Sequence, residues 1–155
     1  MKNEIIAIIG LGYVGLPLAV EFGKKIKTIG YDINTKRVEE LKKKFDRTNE
    51  ISKKQFQFAT KLNLTSNKNN LKNATVFIIT VPTPVDSKNN PDLKFLNKAI
   101  KTTAHYLGKN SLVSLNSVFG RLIEDQTRTL MLAYADSDYV FDMIEPPIVN
   151  IVKVS

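Results

Sequence analysis

Apolar positions come in short unbroken runs separated by stretches with a four-residue repeat. Glu4-Ile-Ile-Ala-Ile-Ile-Gly10 is apolar at nearly every position. Its length and β-branched content predict a strand buried on both faces of a parallel sheet. Val14, Leu18, Phe22 and Ile26 recur at every fourth position and predict a helix to about residue 24, with Pro17 in its first turn, where a missing N–H costs little. Residues 27–31 read as a second strand ending at Asp32. Asn34 is placed to cap a second helix with Val38, Leu41 and Phe45 on one face, the usual i, i+3, i+7 spacing. Residues 52–59 predict a short helix, 62–65 a third strand, 66–70 a loop and 75–81 another buried strand. Prolines at 82, 84 and 91 make that stretch a loop, because proline interrupts helix and ladder alike. Asp92 is placed to cap a helix with Leu93, Leu96, Ile100 and Leu107 inward, and 111–117 reads as a fifth strand. Beyond about residue 120 the pattern weakens. A helix near 122–134 and a strand over 148–154 are expected, the latter as an edge strand or an aggregation-prone segment. Alternating strands and helices predict an α/β, doubly wound, mainly parallel sheet with helices on both faces.

The length of 155 residues and a hydrophobic content of 43% suit one domain with a real core. The expected division is a domain over 1–120 and a divergent segment over 121–155. The chain has no cysteine and a single histidine, His105, which excludes disulfides, thiolate chemistry and multi-histidine metal sites within it. Residues 1–75 carry 15 basic and 7 acidic side chains, whereas 121–155 carry 3 and 6. A basic half suits nucleic acid, anionic lipid or a phosphorylated ligand, or is a solvated lysine-rich surface. No nucleic-acid motif accompanies the charge, so neither nucleic acid nor membrane is expected as a partner. There is no apolar run near twenty residues and no signal-peptide layout, and a cytoplasmic location is expected.

Gly10-Leu-Gly12-Tyr-Val-Gly15 changes the picture, because it joins a predicted strand to a predicted helix. In a dinucleotide-binding βαβ unit the first glycine allows the tight turn, the second admits a pyrophosphate and the third permits close helix packing. Asp32 lies 22 residues after Gly10, where a carboxylate accepts the adenosine ribose hydroxyls and repels a 2′-phosphate. NAD is therefore expected over NADP. FAD, which uses a similar loop, and glycines that serve a turn alone are the alternatives. Arg37 is expected either to stack on the adenine or to face water. His105 is expected to be structural.

Residues 6–19, Gly-Tyr-Asp-Ile-Asn at 30–34 and Val-Pro-Thr-Pro at 81–84 together resemble the UDP-glucose/GDP-mannose dehydrogenase family. Phe-Asp-Arg-Thr-Asn-Glu-Ile (45–51) and residues 83–93 are similar to its branch that oxidises UDP-N-acetyl-hexosamines for bacterial surface glycans. The resemblance covers roughly residues 4–117. It implies a Rossmann domain that binds NAD through Gly10, Gly12 and Gly15, with Tyr13, Val14, Asp32, Arg37 and Thr83 touching the cofactor. Val81, Pro82 and Thr83 would lie beside the nicotinamide half. The family oxidises a sugar C6 alcohol to an acid in two hydride transfers, with a cysteine holding the aldehyde. Its Glu-Ser-Thr turn appears here as Asn116-Ser-Val, and Ser117 is carried over as a cofactor contact. The implied function is the NAD-binding domain of a nucleotide-sugar 6-dehydrogenase, truncated and inactive alone, with UDP-sugar as a partner only when a second half is supplied. The alternative is a non-catalytic NAD-binding or protein-docking module.

Overall fold

The computed structural model describes residues 4–85, 87, 92–107, 111–115, 139–144 and 148–153. The chain alternates β1 (Ile5–Ile9), α1 (Gly15–Gly23), β2 (Lys27–Tyr31), α2 (Thr35–Lys42), α3 (Lys53–Phe58), β3 (Leu62–Thr65), β4 (Val76–Ile79), α4 (Lys94–Ala104) and β5 (Leu112–Leu115), followed by β6 (Tyr139–Ile144) and β7 (Ile148–Lys153). The strands form one sheet in the order β3-β2-β1-β4-β5-β7-β6. The first five are parallel, and β7 runs antiparallel to both β5 and β6. The chain winds outward through β1, β2 and β3, then returns to place β4 on the free side of β1. That reversal opens a crevice at the carboxyl ends of β1 and β4, where open α/β sheets bind their ligands.

The near-continuous apolar run of β1 has a direct cause. Successive side chains alternate between faces, and both faces are covered. Ala7 and Ile9 join Phe77, Ile79, Val113 and the inner side of α4 in one core cluster. Ile6 and Ile8 join Leu16, Ala19, Val20, Val38, Leu41 and Phe56 from α1, α2 and α3 in the other. Burying each of these large aliphatic side chains contributes about 1.5–3 kcal/mol.

Helix termini follow local chemistry. The Asn34 side chain accepts from the Arg37 amide at 3.2 Å and starts α2. Ser52 and Gln55 form a reciprocal capping box on α3. α4 differs from expectation: its N-cap is Leu93, which provides no capping side chain, and Asp92 lies one residue earlier, accepting from the Lys94 amide at 3.0 Å.

Several expectations change. The buried stripe of α1 is Gly15, Leu16, Ala19, Val20 and Gly23, so Val14 is exposed while Leu18, Phe22 and Ile26 only flank the core. A four-residue repeat drifts around a 3.6-residue helix, and the inward face is set by which side can meet the sheet. Phe45 lies past the end of α2 and is 55% exposed rather than inward. Lys68–Asn73, within and beyond the predicted 66–70 loop, is a 3-10 turn started by Asn67, which accepts from the Asn69 amide. β6 has no counterpart in the sequence expectations. The strand placed at the sheet edge is interior, because β6 pairs along its outer side. The helix expected at 122–134 lies outside the described residues.

Candidate functional site

The turn after β1 carries the strain that only glycine tolerates. Gly10 has a φ of 98°, in the left-handed region, and its amide donates to the Tyr31 carbonyl at 2.8 Å. Gly15 is buried beneath this turn, where a Cβ would overlap the Gly10 carbonyl oxygen and the Thr80 hydroxyl. Thr80, just past β4, donates its hydroxyl to the Gly10 carbonyl at 2.8 Å and its amide to the Ile9 carbonyl at 2.9 Å. These bonds tie the glycine loop to the neighbouring strand. Gly12 differs from the other two: a Cβ there would meet nothing within 4 Å. The opening beside it is the room that a large anion needs next to backbone N–H groups.

α1 begins at that opening, and Val14 at its N-cap provides no capping side chain. A helix start leaves its first amides without partners inside the helix, and its dipole favours an anion. α2 and α3 carry side-chain caps, whereas α1 and α4 do not, and of these two only α1 starts at the glycine loop.

Asp32 closes the same crevice from the end of β2. Its Oδ2 accepts from the Leu11 amide at 2.9 Å and its Oδ1 from the Asn34 amide at 2.8 Å. Each carboxylate oxygen retains acceptor capacity, and the residue lines the cavity. Burial pushes the neighbouring Tyr31 phenol upward, and the charges of Asp32 and Tyr106 add to the shift, so the phenol stays neutral at physiological pH.

The cavity measures about 400 Å³, within the range of small-molecule sites. One wall is Gly10, Leu11, Gly12, Asp32 and Arg37; Thr80, Val81 and Pro82 form the floor at the end of β4; and α4 supplies Phe95, Lys98, Ala99 and Thr102. Ile33 and Phe95 are 57% and 52% exposed, and both line this cavity.

Of the residues singled out in the sequence, Gly10, Gly12, Asp32, Arg37, Val81 and Pro82 therefore meet on one cavity. Tyr13 and Val14 project from the loop with 69% and 47% exposure. Thr83 follows half-buried on the next loop. Ser117 lies outside the described residues. His105 ends α4 and stacks edge-on with Tyr106 at 5.1 Å.

Arg37 does not face water. It is 5% exposed, its Nε donates to the Leu11 carbonyl at 3.0 Å, and its Nη2 lies 2.7 Å from Asp46 Oδ1. Burial pushes the Asp46 carboxyl up, but the Thr48 hydroxyl and amide, the Arg37 guanidinium and the Ile51 amide outweigh it and hold its pKa at about 2. Thr80, Asp46 and the α4 wall are the parts sequence reasoning missed. A signal existed for the last: Phe95, Lys98, Ala99 and Thr102 share one helical stripe.

The family comparison agrees with this geometry. The model of the UDP-glucose/GDP-mannose dehydrogenase family, NAD binding domain, matches residues 4–143. The chain belongs to that family. Its match runs past residue 117, where the recognisable motifs stop, into β6. The matched part is the family's NAD-binding domain, and NAD is the cofactor of this domain. The glycine loop, the opening at Gly12 and the Asp32 carboxylate fit that cofactor.

Protein CapL of Staphylococcus aureus is 48% identical over 115 residues, which are 74% of this chain and 27% of that protein. A UDP-N-acetyl-D-glucosamine 6-dehydrogenase of Pseudomonas aeruginosa is 45% identical over 117 residues, 76% of this chain and 28% of that protein. The chain thus spans just over a quarter of the length of these relatives. Among solved structures, the UDP-D-ManNAc dehydrogenase of Pyrococcus horikoshii superposes with a TM-score of 0.78 at 28% identity, covering 92% of this chain and 37% of the other. Among the described residues, no helix is long and apolar enough to cross a membrane.

Proposed function

We propose that this chain is the NAD-binding part of a UDP-N-acetyl-hexosamine 6-dehydrogenase serving surface-polysaccharide synthesis. The sugar class rests on the relatives' names and on the resemblance of residues 45–51 and 83–93. The observation that carries the cofactor reading is the convergence of an open glycine loop, an uncapped helix start and the Asp32 carboxylate on one cavity.

In this reading the amides of Gly12 to Gly15 receive the pyrophosphate, since the next one, Leu16, already donates to the Gly12 carbonyl at 3.1 Å. Gly10 and Gly15 hold the loop that presents them. Asp32 accepts the adenosine ribose hydroxyls, and Tyr13 and Val14 flank the phosphates. Ile33 and Phe95 cover the faces of the adenine, and Arg37 supports the wall beside it. Val81, Pro82 and Thr83 run toward the nicotinamide half, with Ser117 assigned to the same half by resemblance. When bound, NAD supplies a hydride acceptor for the sugar carbon. The chain's own residues contribute binding, orientation and exclusion of water from one side of the cofactor. The domain division is proposed with it: 1–120 as the nucleotide-binding unit and 121–155 as a divergent segment.

Calorimetric titration with NAD and NADP tests the reading. NAD is expected to bind more tightly by about 1–3 kcal/mol, because a 2′-phosphate loses the Asp32 hydrogen bonds and meets its charge. Gly12→Val puts a branched side chain into the opening, where a Cβ meets nothing within 4 Å, so it should abolish NAD binding while the circular dichroism spectrum stays unchanged. Equal affinities for both nucleotides would remove Asp32 from its role, and normal binding by the Gly12 variant would place the phosphates elsewhere.

A further inference from the structure

NAD binding as described leaves segment 46–51 without a task, yet it is built around the most buried ion pair of the described residues. The Arg37 and Asp46 side chains are 6% and 1% exposed, and Nη2 lies 2.7 Å from Oδ1. Asp46 is fixed from several directions. It accepts from the Thr48 amide at 3.0 Å, the Thr48 hydroxyl at 2.7 Å, the Glu50 amide at 2.9 Å and the Ile51 amide at 3.0 Å.

Arg37 in turn touches the nucleotide site. Its Nε holds the Leu11 carbonyl at 3.0 Å, while Asp32 holds the Leu11 amide at 2.9 Å. The two residues grip opposite ends of one loop residue, and both line the cavity. Arg37 Nη1 has no hydrogen-bond partner. An arginine near the β2 carboxylate is the group that accommodates a 2′-phosphate in NADP-binding sites. Here its charge is already matched. Arg47, which also lines the cavity, is matched as well, with Nε and Nη2 at 2.7 and 2.6 Å from the Glu40 carboxylate. Lys98, on the α4 wall, is the other cation lining the cavity and stays the same in every variant compared below.

We infer that Asp46 is a specificity-determining residue: by neutralising Arg37 it removes the cation that stands beside Asp32 on the α2 side of the pocket, and it acts with Asp32 in favouring NAD over NADP. It works through Arg37 and touches no ligand itself. A carboxylate fixed against the guanidinium cancels a large part of its potential at the ligand, whereas a lone guanidinium in a poorly solvated wall presents a full charge. The inference rests on the NAD reading and gives a role to the motif that otherwise only marks the family branch.

The test is the ratio of NAD to NADP affinity, measured by calorimetry on the full chain and on Asp46→Asn, Arg37→Gln and the double variant. Asp46→Asn unmasks Arg37, and the ratio should fall about ten-fold. Arg37→Gln leaves an unmatched carboxylate, and the ratio should rise. The double variant should return to within about three-fold of the wild type, since both charges are gone. Loosening the loop alone would weaken both nucleotides equally, because they share the pyrophosphate, and would leave the ratio unmoved; that result overturns the inference. If Asp46→Asn does not fold, the sign for Arg37→Gln decides: a rise supports the inference, and a fall or no change ends it. A wild-type chain that binds neither nucleotide overturns the NAD reading and this inference together. One that prefers NAD with a fixed ratio across the variants sinks only the inference.

Discussion

Single residues in this protein act through the company they keep, and Asp46 shows it most clearly. Its carboxyl is held at about 2 in the fold against an ordinary value of 3.8. The folded form therefore binds fewer protons than the unfolded chain between these values. The stabilisation is complete above about pH 5, declines as pH falls through 3.8, and is gone below 2. A shift of this size corresponds to roughly 2 kcal/mol. Urea unfolding at pH 6, 4 and 2.5 should show that loss, and Asp46→Asn, which cannot ionise at this position, should flatten the profile by a similar amount. Identical pH profiles for variant and wild type would mean that the ion pair adds no net stability. Gly10, Gly12 and Gly15 make the same point about context. One glycine is required by its φ, one by open space and one by contact, although the three are chemically identical.

At the scale of elements, the decisive feature is where each one meets the sheet. α1 turns Leu16, Ala19, Val20 and Gly23 inward, leaving its uncapped start free over the crevice. β7 lies between β5 and β6. Val149 pairs with Val113 on one side and Met143 on the other, and Asn150 with Leu112 and Asp142. In an interior strand successive N–H groups point to alternate neighbours, and both neighbours use them. Val149→Pro and Asn150→Pro should therefore both lower the thermal midpoint, each by the loss of a ladder bond at about 1–3 kcal/mol. On an edge strand only one of two adjacent positions would be sensitive. Tolerance of proline at one of the two sites would show that one of these neighbours does not pair with β7 in solution.

For the whole molecule, the proposed function carries an expectation about activity. The chain contains no cysteine, so it has no thiol to hold an aldehyde as a thiohemiacetal. With UDP-N-acetylglucosamine or UDP-N-acetylgalactosamine and NAD, the 155-residue chain alone is expected to form no uronic acid. Absorbance of NADH at high protein concentration reads this directly. Sustained, sugar-dependent NADH formation would require a catalytic apparatus beyond the residues identified. The basic character of residues 1–75 does not gather into the nucleotide cavity. Both arginines lining it are paired with carboxylates, which suits a ligand held by backbone amides more than by cations.

The amino-acid sequence by itself determined the parallel α/β order, the glycine loop, Asp32 at the end of β2 and the family. Each is a local matter: an apolar run covered on both faces, a turn that only glycine permits, a carboxylate at a fixed distance along one βαβ unit. Tertiary structure decided what depends on meetings between distant segments. Arg37 reads in sequence as a surface or stacking residue, and only the fold brings Asp46 and the Leu11 carbonyl to it. Thr80 carries no motif, yet its hydroxyl locks the glycine loop because β4 returns beside β1. Phe95 and Ile33 are 62 residues apart and reach one cavity only because the winding reverses there. The interior place of β7 was likewise set by a partner strand whose pairing leaves no periodic trace in its own sequence, since an edge strand and an interior strand read alike until the neighbour is known.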